Sequence, residues 1–143
     1  MPLGIVATDL DSGAPILFQR GDTGMAVRAS SAVPAVFQPV RINGREYVDG
    51  GLVSPLPVGT ARNLGCDVVI AVDISAKLRT RESLKSGLAM IDQLTTYMTQ
   101  VGTEKQKALM GPRDVLLTPE FGNMGIADFA LMPEGIKLGE QVA

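Results

Sequence analysis

Histidine is absent from all 143 residues, tryptophan is absent too, and cysteine occurs once, as Cys66. Without histidine the chain can build no Ser-His-Asp triad, no Cys-His dyad, no histidine metal site and no histidine general base. A single cysteine excludes an internal disulfide and a cysteine-rich zinc site. Aromatic residues make up 4% of the chain, too few for the stacking platforms that bind single-stranded nucleic acid. A net charge of −2 leaves no basic footprint for DNA or RNA. No stretch of about eighteen consecutive apolar residues is present to cross a bilayer. Met1 to Asp11 lacks a basic leader and contains Asp9 and Asp11, so it does not read as a signal peptide. The expectation is a reduced, cytoplasmic setting with no metal, no cofactor and no nucleic-acid partner.

What is present is the composition of a folded domain. Hydrophobic residues make up 45% and charged residues 20%, values of ordinary globular proteins. The start reads as a strand, Gly4 to Thr8, running into a polar turn at Asp9-Leu10-Asp11-Ser12-Gly13, with Pro15 to Phe18 as the returning strand. Asp22 and Thr23 are N-cap candidates for a short helix that Pro34 ends near Val33. Small residues from Arg28 to Phe37 allow close backbone packing. Asn43-Gly44 between alternating apolar positions predicts a hairpin whose second arm delivers Val48 into Asp49-Gly50-Gly51.

Beyond Pro55 and Pro57 a short helix is expected around Val58 to Leu64, with Gly65 at the C′ position. Asp67 to Asp73 reads as a strand covered on both faces, as in a parallel sheet. From Glu82 to about Leu109 the pattern is helical, with Leu84, Leu88, Ile91, Leu94, Met98 and Val101 on one apolar stripe. Asp114 to Pro119 is a last strand, Phe121 to Phe129 a loop, and Pro133 opens a final helix. Helix and strand alternate closely enough to indicate an α/β fold.

The candidate chemistry centres on Asp49. A carboxylate at a strand end, backed by two glycines, would be held in a tight turn, and glycine permits both φ > 0 and close backbone approach. Ligands of open α/β sheets bind at such strand ends. The competing reading is a turn in which Asp49 merely accepts nearby N–H groups. Asp9 and Asp11 read as turn residues rather than a metal pair, since Ser12-Gly13 follows. Asp73 reads as a cap or loop group. Cys66 reads as an inert core residue. The basic cluster Lys77, Arg79, Arg81 and Lys85 reads as a solvated face, with contact to anionic headgroups as the alternative.

Three segments in series resemble the patatin-like phospholipase family, in its bacterial, neuropathy-target-esterase-like branch. They are Val6-Ala7-Thr8-Asp9-Leu10, Arg28 through Phe37, and Tyr47-Val48-Asp49-Gly50-Gly51 on to Pro57, with similarity continuing from Ala61 to Asp73. The resemblance implies an α/β, three-layer patatin-like sheet domain, of which residues 1–143 form the C-terminal portion, short of the N-terminal half. It also implies a serine acyl hydrolase with a Ser-Asp dyad, the aspartate of the D-G-[GA] motif matching Asp49, with Gly50 and Gly51 completing the motif. Such a dyad needs no histidine. A desolvated carboxylate can accept the serine proton as the oxygen attacks an ester carbonyl.

The family nucleophile lies in G-x-S-x-G on a strained strand-to-helix elbow, and that motif does not occur in this chain. The family's Gly-rich oxyanion loop is missing as well. Ser30, Ser31 and Ser54 lack the elbow context. The nucleophile is therefore expected outside these residues, and the chain alone is expected to be inactive. The implied substrates are phospholipids, lysophospholipids or other esters, with peripheral membrane contact and self-association of a truncated chain as further expectations. The alternative is a non-catalytic remnant or interaction module that pairs through an exposed sheet edge.

Overall fold

Residues 2–122, 124 and 128–143 are described by a computed structural model. The chain packs as two units, residues 1–55 and 56–143.

The first unit is built on β1, Ile5–Asp9. Its polar turn is closed by Asp9, whose Oδ1 accepts the Ser12 amide at 2.9 Å and the Ser12 hydroxyl at 2.7 Å. The chain then returns as β2, Pro15–Phe18, antiparallel to β1 with Ile5 opposite Phe18. Helix α1, Thr23–Ser30, is capped by Asp22, whose carboxylate accepts the Met25 amide at 2.9 Å. Alanines at 26 and 29 are buried, so α1 lies close to the sheet. The helix stops earlier than Pro34 alone predicts. The Ser31 amide and hydroxyl still bond back to the Val27 carbonyl, and the i→i−4 ladder stops at the next residue, where the Ala32 amide bonds to the Ala29 carbonyl at 3.2 Å.

Strands β3, Val40–Ile42, and β4, Arg45–Asp49, form the predicted hairpin. Asn43 at φ 52° and Gly44 at φ 82° occupy its turn, both left-handed, as a two-residue turn of this hand requires. Strand β4 also pairs antiparallel with β1, placing Asp49 opposite Ala7. The sheet order is β2-β1-β4-β3. Ala7, Ala29, Ala32, Val40 and Tyr47 make its core, with the Phe18 ring edge-on to Tyr47 at 5.1 Å.

In the second unit, α2 spans Val58–Asn63. It ends as the sequence predicts, with Gly65 at φ 88°. The Gly65 amide bonds to the Arg62 carbonyl and the Cys66 amide to that of Ala61, a Schellman closure. This closure leaves Cys66 exposed rather than in the core. Strand β5, Ile70–Val72, pairs parallel with β6, Val115–Leu117. Buried Asp114 joins the two ends by accepting the amides of Val69 and Gly111 and the Arg62 guanidinium.

Expected cover on both faces of β5 is not found. Only three residues are in strand, the sheet has two strands, and Ile70 is 68% exposed. The long helix is also divided. Arg81–Ser83 is a separate 3-10 turn, and α3 runs Gly87–Lys107 because the Ser86 hydroxyl caps it at the Ala89 amide. Helix α4, Met132–Glu140, has Pro133 in its first turn. The loop expected over Phe121 to Phe129 lies partly outside the described residues, as does the side chain of Leu88. Together these elements make a mixed α/β structure.

Candidate active site

Asp49 is the last residue of β4, and its backbone is held on two sides. Its amide donates to the Ala32 carbonyl at 3.1 Å. Its carbonyl accepts the Thr8 hydroxyl at 2.7 Å. Its carboxylate then caps the 3-10 turn Gly50–Leu52, with Oδ1 accepting the Gly51 amide at 2.6 Å. The side chain is thereby anchored through one oxygen. Among the described residues Oδ2 has no hydrogen-bond or ion-pair partner.

The two glycines serve for different reasons, and neither is left-handed. The expectation of φ > 0 is corrected here, and close approach is what matters. A Cβ on Gly50 would stand 2.2 Å from the Val6 carbonyl oxygen and 2.8 Å from its carbon, both backbone atoms of β1. A Cβ on Gly51 would stand 3.0 Å from Asp49 Oδ1, pressing on the anchored carboxylate itself. Gly50 lets the turn lie on the strand, and Gly51 leaves room for the side chain that the turn presents.

The electrostatics separate Asp49 from the other buried acids. Burial raises its pKa above the usual carboxylate value, opposed only by the Gly51 amide. Asp9, at 0% exposure, is held down to about 2 by the Ser12 hydroxyl and amide, with the Arg45 guanidinium alongside. Asp73 is lowered: hydrogen bonds from Lys107 and Ser75 outweigh its burial. Asp114 is lowered by the Gly111 and Val69 amides, with Arg62 adding to them. Those three are structural anions. In contrast to those three, burial increases the proton affinity of Asp49, the property a general base requires.

The remaining candidates fall into place around it. Asp9 closes its turn and Asp73 pairs with Lys107 at 2.7 Å. The Ser31 hydroxyl is committed to the Val27 carbonyl at 2.6 Å. Ser54 is buried with its amide on the Gly50 carbonyl at 2.9 Å. Among the described residues no serine hydroxyl hydrogen-bonds the Asp49 carboxylate, and no group of three His, Cys, Asp or Glu is placed to hold a metal. No described helix is long and apolar enough to cross a membrane. Sequence reasoning missed Thr8, Ala32 and the Val6 carbonyl, the groups that fix the turn. Their roles depend on β1 pairing with β4, a contact between segments about forty residues apart.

Comparison with known proteins finds similarity over the segment that carries this turn. The family model of the patatin-like phospholipases matches residues 7–62, which contain the last three residues of β1 and all of α1 and β4, with Asp49. An uncharacterised NTE family protein of Mycobacterium tuberculosis is 41% identical over 75 residues, covering 52% of this chain and 21% of that protein. Patatin-like phospholipase domain-containing protein 7 of Mus musculus is 30% identical over 82 residues, covering 56% of this chain and 6% of the relative. Lysophospholipase NTE1 of Candida glabrata is 24% identical over 157 aligned positions, covering 93% of this chain and 9% of its own length. The chain thus spans about a fifth of the mycobacterial relatives it matches.

Proposed function

For a chain that belongs to the patatin-like phospholipase family, in its NTE branch, we propose the role of the base-bearing portion of a serine lipid acyl hydrolase. Residues 1–143 form the C-terminal portion of a single catalytic domain, and Asp49 is the partner of a serine carried outside them. Asp49 takes the proton of the serine hydroxyl as that oxygen bonds to the ester carbonyl carbon. The protonated carboxyl then gives its proton to the departing alcohol as the ester C–O bond breaks. Water, deprotonated by the same carboxylate, frees the acid and restores the serine. The substrates are phospholipids, lysophospholipids or other carboxylic esters.

The observation that carries this reading is Asp49 itself. It is anchored through one oxygen, its pKa is raised by burial, and it has no cation beside it among the described residues. A carboxylate that served only to close the turn would gain from a lowered pKa, as Asp9 does. The test is hydrolysis of a lysophospholipid by a polypeptide that joins this chain to an upstream G-x-S-x-G segment. Asp49→Asn should lower kcat about 10²–10⁴-fold, the range typical of a lost general base. Activity unchanged by that substitution would overturn the assignment.

A second reading, an interaction module, draws on the edge of β5. The Val69 carbonyl and the Asp73 amide bond to β6, so strand alternation turns the polar backbone of Ile70 and Val72 to the opposite edge. No strand pairs there among the described residues. Such an edge recruits a further strand. Strand pairing between copies would give a dimer or larger assembly by light scattering, and a monomer at all concentrations contradicts it.

A further inference from the structure

The Thr8 hydroxyl reaches out of its own strand. Thr8 is buried within β1 and stands opposite Val48 of β4 in register. Its Oγ1 donates to the Asp49 carbonyl at 2.7 Å, the distance of a well-formed O–H···O bond. That carbonyl belongs to the peptide link between Asp49 and Gly50, where β4 gives way to the 3-10 turn. Because the peptide unit is planar, the direction of a carbonyl is set by ψ of its own residue. Thr8 therefore holds ψ of Asp49, found at 128°, while the bond from the Asp49 amide to the Ala32 carbonyl holds φ, found at −46°. Ala32 acts through its backbone, so of the two groups Thr8 is the one whose hold a substitution can remove.

These torsions decide what the carboxylate can reach. The chain passes from Asp49 through the 49–50 peptide to the Gly51 amide, which Oδ1 accepts at 2.6 Å. Rotation of that peptide carries the Gly51 N–H away from Oδ1, and the side chain loses the anchor that leaves Oδ2 uncommitted. The Val6 carbonyl fills the space that a Cβ on Gly50 would need, so the same peptide also lies against β1. Contact of that kind limits approach, whereas a hydrogen bond fixes direction as well. Threonine suits the position twice over. It carries the donor, and its β-branching restricts χ1 so that the donor stays aimed. Valine keeps the shape and loses the donor, and serine keeps the donor and loses the branch.

We infer that Thr8 is the positioning residue of the site: its hydroxyl, acting through the Asp49 carbonyl, fixes the direction in which the Asp49 carboxylate is presented. This rests on the reading of Asp49 as a base for its effect on turnover, while the positioning itself is measured without turnover. The full chain, labelled with 15N, would be titrated through the carboxylate range by NMR. In the parent the Gly51 amide should move downfield as Asp49 ionises, because a charged acceptor strengthens the bond. Thr8→Val should remove most of that movement, and Thr8→Ser should keep it. Asp9, the next residue of β1, is held at about 2 by Ser12 and Arg45 and is the control. The Ser12 amide should report the same Asp9 titration in all three proteins, which a general loosening of β1 would not allow. Where Thr8→Val does not fold, Thr8→Ala set against Thr8→Ser makes the same comparison with the methyl gone from both. In the polypeptide joined to an upstream G-x-S-x-G segment, Thr8→Val should lower kcat about 10–10²-fold with KM near the parent, the cost of a misdirected group, and Thr8→Ser should restore most of it. A Gly51 amide that still follows Asp49 in Thr8→Val, a Ser12 amide that changes along with it, or Thr8→Ser no better than Thr8→Val would each overturn the inference. So would a kcat unchanged by Thr8→Val where Asp49→Asn lowers it. If Asp49→Asn itself leaves kcat unchanged, the base reading fails alone, and the Gly51 amide still decides what Thr8 does.

Discussion

At the residue scale, Asp49 and its two glycines divide the work of one turn. A methyl group on Gly50 collides with the backbone of β1, where nothing can rotate aside. Gly50→Ala should therefore destabilise the first unit by about 1–3 kcal/mol, the range of overpacked cores, read as a lower urea midpoint. Gly51→Ala presses on a side-chain oxygen instead. It should leave stability nearer the parent and shift the Asp49 carboxylate by a few tenths of an ångström.

The pH response of Asp49 has the opposite sign to that of Asp9. With its folded pKa raised by burial above the ordinary carboxylate value, Asp49 favours folding while protonated, and that contribution is lost as pH rises through the folded value. Asp49→Asn should raise Tm at neutral pH, and the gain should vanish below the ordinary carboxylate value. Asp9, depressed to about 2, stabilises above its unfolded value and ceases to as pH falls toward 2. Asp9→Asn should lower Tm at neutral pH and converge with the parent in acid. Thermal melts across this range would show the two differences moving in opposite directions.

At the scale of elements, the sequence was legible wherever a local signal was sufficient. Asn43-Gly44 supplies the two left-handed residues of its hairpin, and Gly65 supplies the one that closes α2. Gly44→Ala and Gly65→Ala should each cost about 1–2 kcal/mol, the penalty of a left-handed L-residue, measurable by chemical denaturation. Two elements were misjudged at one end each. The α1 ladder stops at Ala32, ahead of Pro34, and the Ser86 hydroxyl starts α3 after Leu84 and Lys85. The apolar period of α3 was legible, but the side on which the helix would be seated was not. Period gives a stripe, while its partner is a matter of tertiary contact, and here the polar face makes that contact.

At the scale of the whole molecule, the α/β class and the position of Asp49 followed from the sequence, whereas the β1–β4 pairing that immobilises it did not. A strand pair separated by about forty residues leaves no local trace beyond two alternating segments. The two units also differ in how fully they enclose their strands. Strand β1 has a neighbour on each edge and two fully buried residues, Ala7 and Asp9, while β5 and β6 are a lone parallel pair with Ile70, Val72 and Val115 exposed. Amide hydrogen exchange should accordingly be slower in β1 and β4 than in β5 and β6. Equal protection of both sheets would mean that β5 and β6 acquire cover in solution.

The central claim is that Asp49 holds the place of a base whose serine is supplied from outside these 143 residues. The most direct measurement is the intact mass of the folded chain after incubation with a fluorophosphonate serine probe, with Asp49→Asn alongside. The account predicts no adduct on either protein. An adduct on the parent that is lost in Asp49→Asn would show that a serine within the chain is activated by Asp49, and would contradict it.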